Sequence, residues 1–245
     1  MTLVNALHIL CLLLPAVRAS PALAGIIHFG RTSDARPGSR IHRVVVFLDW
    51  QNVYKGARET YCAFGAPHWQ GQVDPVALGE HLAADSPFDR ELHEVRIYRG
   101  QPDGKLDPRG YAASRRQHAA WQRSPLVTLI TRPLRYPRGW PVTSAPGERP
   151  QEKGIDVALA LDFALMAVRG EYDVGILMST DTDMKPALEA VAGMSHSPGP
   201  RAEVASWSIA GRHNRRLAIP SRNLYCHWID KGAYDRIADS TDYSV

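Results

Sequence analysis

Short apolar runs alternate with helical patterns along the chain from residue 41 onward. Residues 44–48 are a continuous Val-rich run, which is typical of a strand buried on both faces. Further strands are predicted at residues 92–98, 126–131, 174–178, 202–208 and 224–229. Between them, residues 132–150 are rich in Pro, Gly and Arg and predict a loop or a short hairpin.

Two helix starts are marked by an aspartate followed by a proline. Asp74 and Asp107 each have this pattern. Aspartate is a favoured N-cap and proline suits the first helical position, so helices are predicted over residues 76–84 and 108–121.

The clearest helical pattern covers residues 154–168 and is closed by Gly170, a typical C-terminal cap. Shorter helices are predicted over residues 185–193 and near Tyr234. Strands that alternate with helices in this way predict an α/β fold, a three-layer, doubly wound and mostly parallel sheet.

The chain has 245 residues, of which 44% are hydrophobic, enough for one α/β domain and an extra segment. We predict a leader or linker over residues 1–40, the folded domain over residues 41–239 and a tail over residues 240–245. Residues 9–17 are largely apolar, so a secretory signal is conceivable, although no Lys or Arg precedes them and Pro15 interrupts them. The stretch is too short to span a bilayer, and we expect a cytoplasmic protein with a secreted form left open.

The net charge and the cysteine content exclude only a few kinds of site and partner. The net charge of +4 is compatible with a polyanionic partner. Three cysteines without C-x-x-C spacing argue against a disulfide framework and a structural zinc site. Cys226 and His227 lie in an apolar run, which predicts a buried thiol and a packed imidazole.

Carboxylates stand near the ends of two predicted strands and at the start of a helix. Asp49 ends the first strand, Asp181 and Asp183 follow the strand at residues 174–178, and Asp156 opens the long helix. In parallel sheets, ligands bind beyond the carboxyl ends of the strands, near the point where strand order reverses. These acids therefore predict a hard-cation site for Mg²⁺ or Mn²⁺.

Each of these acids also has a structural interpretation. Asp183 stands where a helix N-cap belongs, and Asp156 would favourably meet a helix dipole without any metal. Asp162 lies about 240° around the helix from Asp156, so both cannot easily face one ion, and Asp162 is expected to be structural or to act behind the ligands.

Three blocks of sequence resemble the signature blocks of the NYN domain, a family in the PIN-like nuclease superfamily. They are residues 47–52 (FLDWQN), 153–162 (KGIDVALALD) and 176–183 (ILMSTDTD). The resemblance covers residues 41 to 237 and implies a Rossmann-like fold, Mg²⁺ or Mn²⁺ dependence and hydrolysis of RNA phosphodiester bonds. The third block departs from the family pattern, because Thr180 replaces a glycine and Met184 an aromatic residue.

The resemblance implies that the catalytic, metal-binding acids are Asp49, Asp156, Asp181 and Asp183, and that Asn52 is the polar residue of the first block. The predicted function is therefore that of a metal-dependent endoribonuclease, in which the cation activates a water molecule. Asn52, Ser179 and Thr180 are expected to orient substrate or water. The residues predicted to bind substrate are Lys153, Ser179, Thr180, Arg132, Arg135, Arg138 and Arg215.

Residues 96–149 contain eleven basic residues against three acids, with aromatic residues interleaved. A basic groove with stacking rings suits single-stranded nucleic acid. The alternative is a solvated helix face with the aromatic rings in the core, and for residues 109–123 both interpretations remain open.

Two other functions are consistent with the pattern. One is an RNA-binding or regulatory protein that keeps the fold with little or no activity. The other is a haloacid-dehalogenase-like phosphatase, because Asp181 and Asp183 follow a strand, although the motif order of that family is missing. The expected partner is RNA, preferably single-stranded, with no membrane and with a homo-oligomer or a regulatory protein partner left open.

Overall fold

The computed structural model describes residues 40–145, 147–194, 199–220 and 222–245. The predicted leader at residues 1–40 lies outside these ranges apart from Arg40, so it stays a prediction. No helix in the described ranges is both long and apolar enough to cross a membrane.

Six strands form one sheet. They are β1 (His42–Asp49), β2 (Arg90–Gln101), β3 (Val127–Pro133), β4 (Val174–Met178), β5 (Arg201–Trp207) and β6 (Cys226–Ile229). Their order is β3-β2-β1-β4-β5-β6, and every neighbouring pair is parallel. The chain moves outward from β1 through β2 and β3, then crosses to the other side of β1 for β4, β5 and β6. The predicted doubly wound α/β fold is therefore confirmed.

The helices are α1 (Trp50–Tyr61), α2 (Pro75–Ala84), α3 (Pro108–Trp121), α4 (Ile155–Arg169), α5 (Lys185–Gly193) and α6 (Lys231–Ile237), with a 3-10 turn at Thr182–Met184 before α5. Buried residues of α1, α2 and α6 share one apolar cluster with the sheet, and those of α4 and α5 share another. The sheet therefore lies between two helical layers.

Strand β1 is buried on both faces, as its valine-rich run predicted. Val44, Val46 and Leu48 belong to the cluster of α1 and α2, whereas Val45 and Phe47 belong to the cluster of α4 and α5. All five side chains have no exposed surface. Alternate residues of a strand point to opposite faces, so each layer takes every second side chain.

The predicted caps are confirmed. The Asp74 carboxylate accepts hydrogen bonds from the backbone of Val76 and Ala77, both at 2.8 Å. Asp107 accepts one from the backbone of Gly110 at 2.9 Å. Gly170 ends α4 with φ of 65°, in the left-handed region that favours glycine.

Helix α1 is an element that the hydrophobic pattern did not predict. Its buried positions, Trp50, Val53 and Ala57, have helical spacing but follow β1 without a break. Asp49 is both the last residue of β1 and the N-cap of α1. The absence of an intervening loop holds this carboxylate at the edge of the sheet.

Candidate active site

The site lies at the carboxyl ends of β1 and β4. These strands are neighbours, with Leu48 paired to Met178 at their ends. Helix α1 leaves β1 toward one face of the sheet, while α5 follows β4 on the other face. Adjacent strands whose connections leave to opposite faces open the crevice in which α/β proteins bind ligands.

Asp49 is held by neutral donors. Its Oδ2 accepts hydrogen bonds from Asn52 Nδ2 at 2.5 Å and from Ser179 Oγ at 2.9 Å, and its Oδ1 accepts one from the Asn52 backbone at 3.3 Å. None of the ion pairs among the described residues involves Asp49. The carboxylate is therefore fixed in orientation without a positive partner.

Burial raises the pKa of Asp49, and the nearby negative charge of Asp181 raises it further. The hydrogen bonds from Ser179 and Asn52 lower this pKa, but it still lies above its usual value. A cation placed beside Asp49 would remove this penalty on its charged form.

Asp181 lies in the turn after β4 and caps the 3-10 turn. Its Oδ1 accepts a hydrogen bond from the Asp183 backbone at 2.9 Å, and its own backbone N–H donates to Ser179 Oγ at 3.1 Å. Ser179 is thus bonded to both Asp49 and Asp181. The N-cap expected at Asp183 is instead Asp181, because the 3-10 turn begins one residue before Asp183, which is exposed.

Thr180 joins the β4 turn to α1. Its hydroxyl donates a hydrogen bond to Asn52 Oδ1 at 2.7 Å. The residue that replaces the glycine of the family pattern therefore supplies a contact that glycine cannot make. Asn52, Ser179 and Thr180, three residues predicted to act together, do lie together around Asp49.

Glu152 is a site residue that the sequence analysis missed. Its Oε1 accepts a hydrogen bond from the Gly100 backbone at 2.6 Å. Burial raises the pKa of Glu152, and the charge of Asp49 also raises it. A Cβ at residue 100 would lie 2.7 Å from Glu152 Cγ, so glycine there makes room for the acid. The available signal was its place directly before the block that starts at Lys153.

The two acids of α4 have different surroundings. Asp156 lies in the first turn and is partly exposed, and no side-chain hydrogen bond or ion pair among the described residues involves it. Its role as a ligand stays a prediction. Asp162 accepts hydrogen bonds from Arg96 Nη2 at 2.9 Å and from Tyr98 Oη at 2.8 Å, so it is structural.

The predicted substrate-binding cations are exposed. Arg132, Arg135, Arg138, Lys153 and Arg215 all have solvent-accessible side chains. Their contact with substrate stays a prediction.

Two rings of the basic stretch belong to the core. Tyr98 and Trp121 are only 1% and 4% exposed. Arg99 donates to Gln117 at 2.6 Å and lies over the Trp121 ring. For Tyr98 and Trp121 a role in base stacking is wrong, because the sheet and its helices already cover both rings.

A profile of the NYN domain matches residues 43–196, from β1 to just beyond α5. The chain belongs to the NYN family. NYN domains are part of the PIN-like nuclease superfamily and are generally nucleases, so the fold of this chain is nuclease-like.

Two further comparisons add little to the family assignment. Among solved structures, the chain is similar to a protein of unknown function from Vibrio parahaemolyticus, with 20% identity and a TM-score of 0.42. The match covers 72% of this chain and 85% of that one. No curated protein matches the chain.

NYN nucleases typically use divalent metals, so the question is whether the side chains of this site can bind a divalent cation. Among the described residues, no three His, Cys, Asp or Glu side chains lie close enough to hold an ion. Mg²⁺ usually keeps several waters, however, and is bound by one or two carboxylates together with substrate phosphates. Asp49 and Asp181 supply such a pair, and no ion pair in the described part of the chain neutralises Asp49. These residues fit Mg²⁺ or Mn²⁺ better than Zn²⁺.

Proposed function

We propose that this NYN protein is a metal-dependent endoribonuclease that hydrolyses RNA phosphodiester bonds at the carboxyl ends of β1 and β4. The observation that carries the proposal is Asp49, a largely buried carboxylate with a raised pKa, beside Asp181 and without a positive partner. Perturbed carboxylates in a ligand crevice are typical of functional sites.

In this proposal, the residues of the site have different roles. A bound divalent ion would lower the pKa of water and balance charge on the phosphate. Asp49 and Asp181 would hold that ion, while the hydrogen bonds from Asn52 and Ser179 keep the Asp49 carboxylate in one orientation. Thr180 in turn fixes the Asn52 amide, so that little rearrangement is needed when the ion and substrate bind.

Three further acids have supporting roles in this proposal. Glu152 is close enough to Asp49 to be affected by its charge, and it adds negative potential on the β2 side of the site. Asp183 and Asp156 are assigned contacts with the ion through water, because among the described residues no three acidic side chains lie close enough to share one ion directly.

The proposed substrate is single-stranded RNA. Arg132, Arg135, Arg138 and Lys153 offer exposed positive charge for phosphates, which supply most of the affinity but no sequence information. A homo-oligomer would be detected by measuring the mass of the purified chain in solution, and a regulatory protein partner by measuring the mass of the complex isolated from cells that express the full chain.

A cytoplasmic location is part of the proposal. Cys62 and Cys226 are free thiols, as is usual in a reducing compartment. Fractionation of cells that express the full chain tests this, and recovery from the medium would contradict it.

The test of activity is incubation of the full chain with a single-stranded RNA in Mn²⁺, with and without a chelator. We expect internal cleavage that the chelator abolishes. Asp49→Asn, which keeps the capping geometry, should remove the activity in the same assay. Absence of cleavage in both Mn²⁺ and Mg²⁺ over a panel of RNA sequences would overturn the proposal.

An RNA-binding protein with little or no activity is the second candidate. It is favoured by the lack of any three-residue metal group among the described residues. RNA binding without turnover in either metal would select it.

A further inference from the structure

A cleft of about 470 Å³ lies beside Ser179 and Thr180, between α1 and residues 209–215. Its volume is within the range of small-molecule sites, about 300–1,000 Å³. Met178, Ala205 and Trp207 are among the residues that line the cleft. The cleft therefore offers apolar surface near the carboxylate pair.

The rim of this cleft is positively charged. Lys55, Arg212 and Arg215 line it, with Glu59 as the acidic residue. Among the described residues, no ion pair holds Arg212 or Arg215. Arg216 differs, because it donates to the backbone of Leu224 at 2.9 Å and so supports the loop.

The loop that carries these cations is held in place by its own hydrogen bonds. The Asn214 side chain accepts from the Ile209 backbone N–H at 2.8 Å and donates to the Ile209 carbonyl at 3.1 Å. Ser206 Oγ donates to the Arg215 carbonyl at 2.6 Å. A preformed loop loses less entropy when a ligand binds.

An exposed tryptophan lies beside the same loop. Trp228 of β6 is 43% exposed and lines a second hollow together with residues 212–216. Aromatic rings in basic grooves are the platforms on which bases of single strands stack. The loop therefore borders both the apolar cleft and a surface on which a base can stack.

We propose that residues 209–216, the cleft and Trp228 form the binding track for single-stranded RNA. One nucleotide adjoining the scissile phosphate enters the cleft, Arg212 and Arg215 contact its phosphates, and a further base stacks on Trp228. This assignment rests on the proposed nuclease function. It specifies which surface binds the part of the RNA strand that extends beyond the carboxylates.

The track selects for unpaired RNA. A base can enter the cleft only after it leaves its helical stack, and that costs free energy in a duplex but not in a flexible strand. The duplex of a given sequence should therefore bind more weakly than its single strand.

Binding is tested with a labelled single-stranded RNA in chelator, which removes the metal that cleavage requires, by fluorescence anisotropy with the full chain. Arg212→Ala/Arg215→Ala should weaken binding at least about tenfold. It should also reduce the slope of log affinity against log salt by about 1.4, since each neutralised phosphate contributes about 0.7 on a single strand. Arg169→Ala/Arg236→Ala removes the same charge from the ends of α4 and α6 and should leave both quantities nearly unchanged. An equal loss in both double variants would overturn the track.

The stacking position has its own test. Trp228→Ala should weaken binding of the single strand several-fold and leave the duplex unaffected, whereas Phe64→Ala, another exposed ring, should change neither. Wild-type binding by Trp228→Ala would overturn this part.

The binding assays contain chelator, so they are independent of cleavage. If the variants lose binding as expected but the wild-type chain does not cleave RNA in Mn²⁺, the nuclease function is refuted and the track is retained. If the wild-type chain cleaves RNA and chelator stops the cleavage, but all these variants bind RNA as well as wild type, the track is refuted and the nuclease function is retained.

Discussion

Two buried carboxylates of the same sheet, Glu203 on β5 and Asp49 at the end of β1, have opposite surroundings. Glu203 accepts hydrogen bonds from Arg90 Nη2 at 2.6 Å, from Arg90 Nη1 at 2.9 Å and from His227 Nε2 at 2.8 Å. Among the described residues, Asp49 accepts hydrogen bonds only from neutral groups of Asn52 and Ser179. Glu203 therefore has a cationic partner in Arg90, whereas no ion pair in the described ranges includes Asp49.

The pKa values of the two acids move in opposite directions. Burial raises the pKa of Glu203, but the hydrogen bonds and charges of His227 and Arg90 outweigh burial, so that its pKa lies below the usual value. Burial raises the pKa of Asp49, and its hydrogen bonds do not compensate. A buried acid that has its cation is part of the scaffold, whereas a buried acid without one has an unbalanced charge that a ligand can neutralise.

The largest effect is expected from removing the cation of the paired acid. Arg90 and Glu203 side chains are 3% and 7% exposed, so Arg90→Met leaves a buried charge with only His227 beside it. Loss of one partner of a buried pair costs about 3–5 kcal/mol. Urea unfolding should show this loss, and Arg90→Met/Glu203→Leu should recover most of it. If Arg90→Met were as stable as wild type, Glu203 would not depend on its cation, and the contrast between Glu203 and Asp49 would be refuted.

The next largest effect is expected on the cleavage activity of a variant of Asp181, the acid beside Asp49. Asp181→Asn is expected to lower the cleavage rate in Mn²⁺ by more than about 100-fold, the upper limit for changes behind the metal ligands. RNA affinity should persist or rise, because less negative charge repels the phosphates. Single-turnover rates together with binding in chelator measure both quantities. Cleavage at the wild-type rate would refute the assignment of Asp181.

The paired acid also predicts a pH dependence of stability. Because the folded pKa of Glu203 is below the value in the unfolded chain, its contribution is complete above about pH 4.3 and disappears as the pH falls through the folded value. The free energy of unfolding should therefore fall less steeply below that pH in Arg90→Met/Glu203→Leu than in wild type. Parallel curves would contradict the pairing.

The smallest change is expected in the stability of Asp49→Asn. Asparagine caps a helix as well as aspartate does, and the substitution removes a poorly solvated charge. The free energy of unfolding should stay within about 1 kcal/mol of wild type or rise. A loss as large as that of Arg90→Met would mean that Asp49 is structural too.

Local signals in the sequence were sufficient for most of the scaffold. The aspartate-proline caps of α2 and α3 and the valine run of β1 depend on neighbouring residues alone, and each is confirmed. Helix α1 was missed because it follows β1 directly, without a turn residue between them to mark its start.

The site depends on contacts that no local pattern encodes. Asp49 and Asp181 lie together because β4 pairs with β1, and no local pattern in either strand encodes that pairing. Glu152 lies in the space that Gly100 leaves open, where the charge of Asp49 raises its pKa, and Asp162 is held instead by Arg96 on β2. Both outcomes follow from packing between distant segments.

A crystal of the full chain soaked in Mn²⁺, with the ion located by its anomalous scattering, is the most direct test of the unpaired acid as a metal site. A peak about 2.1 Å from carboxylate oxygens of both Asp49 and Asp181 is the predicted result. Mn²⁺ bound away from these two residues, or absent from the crystal at saturating concentration, would contradict the account.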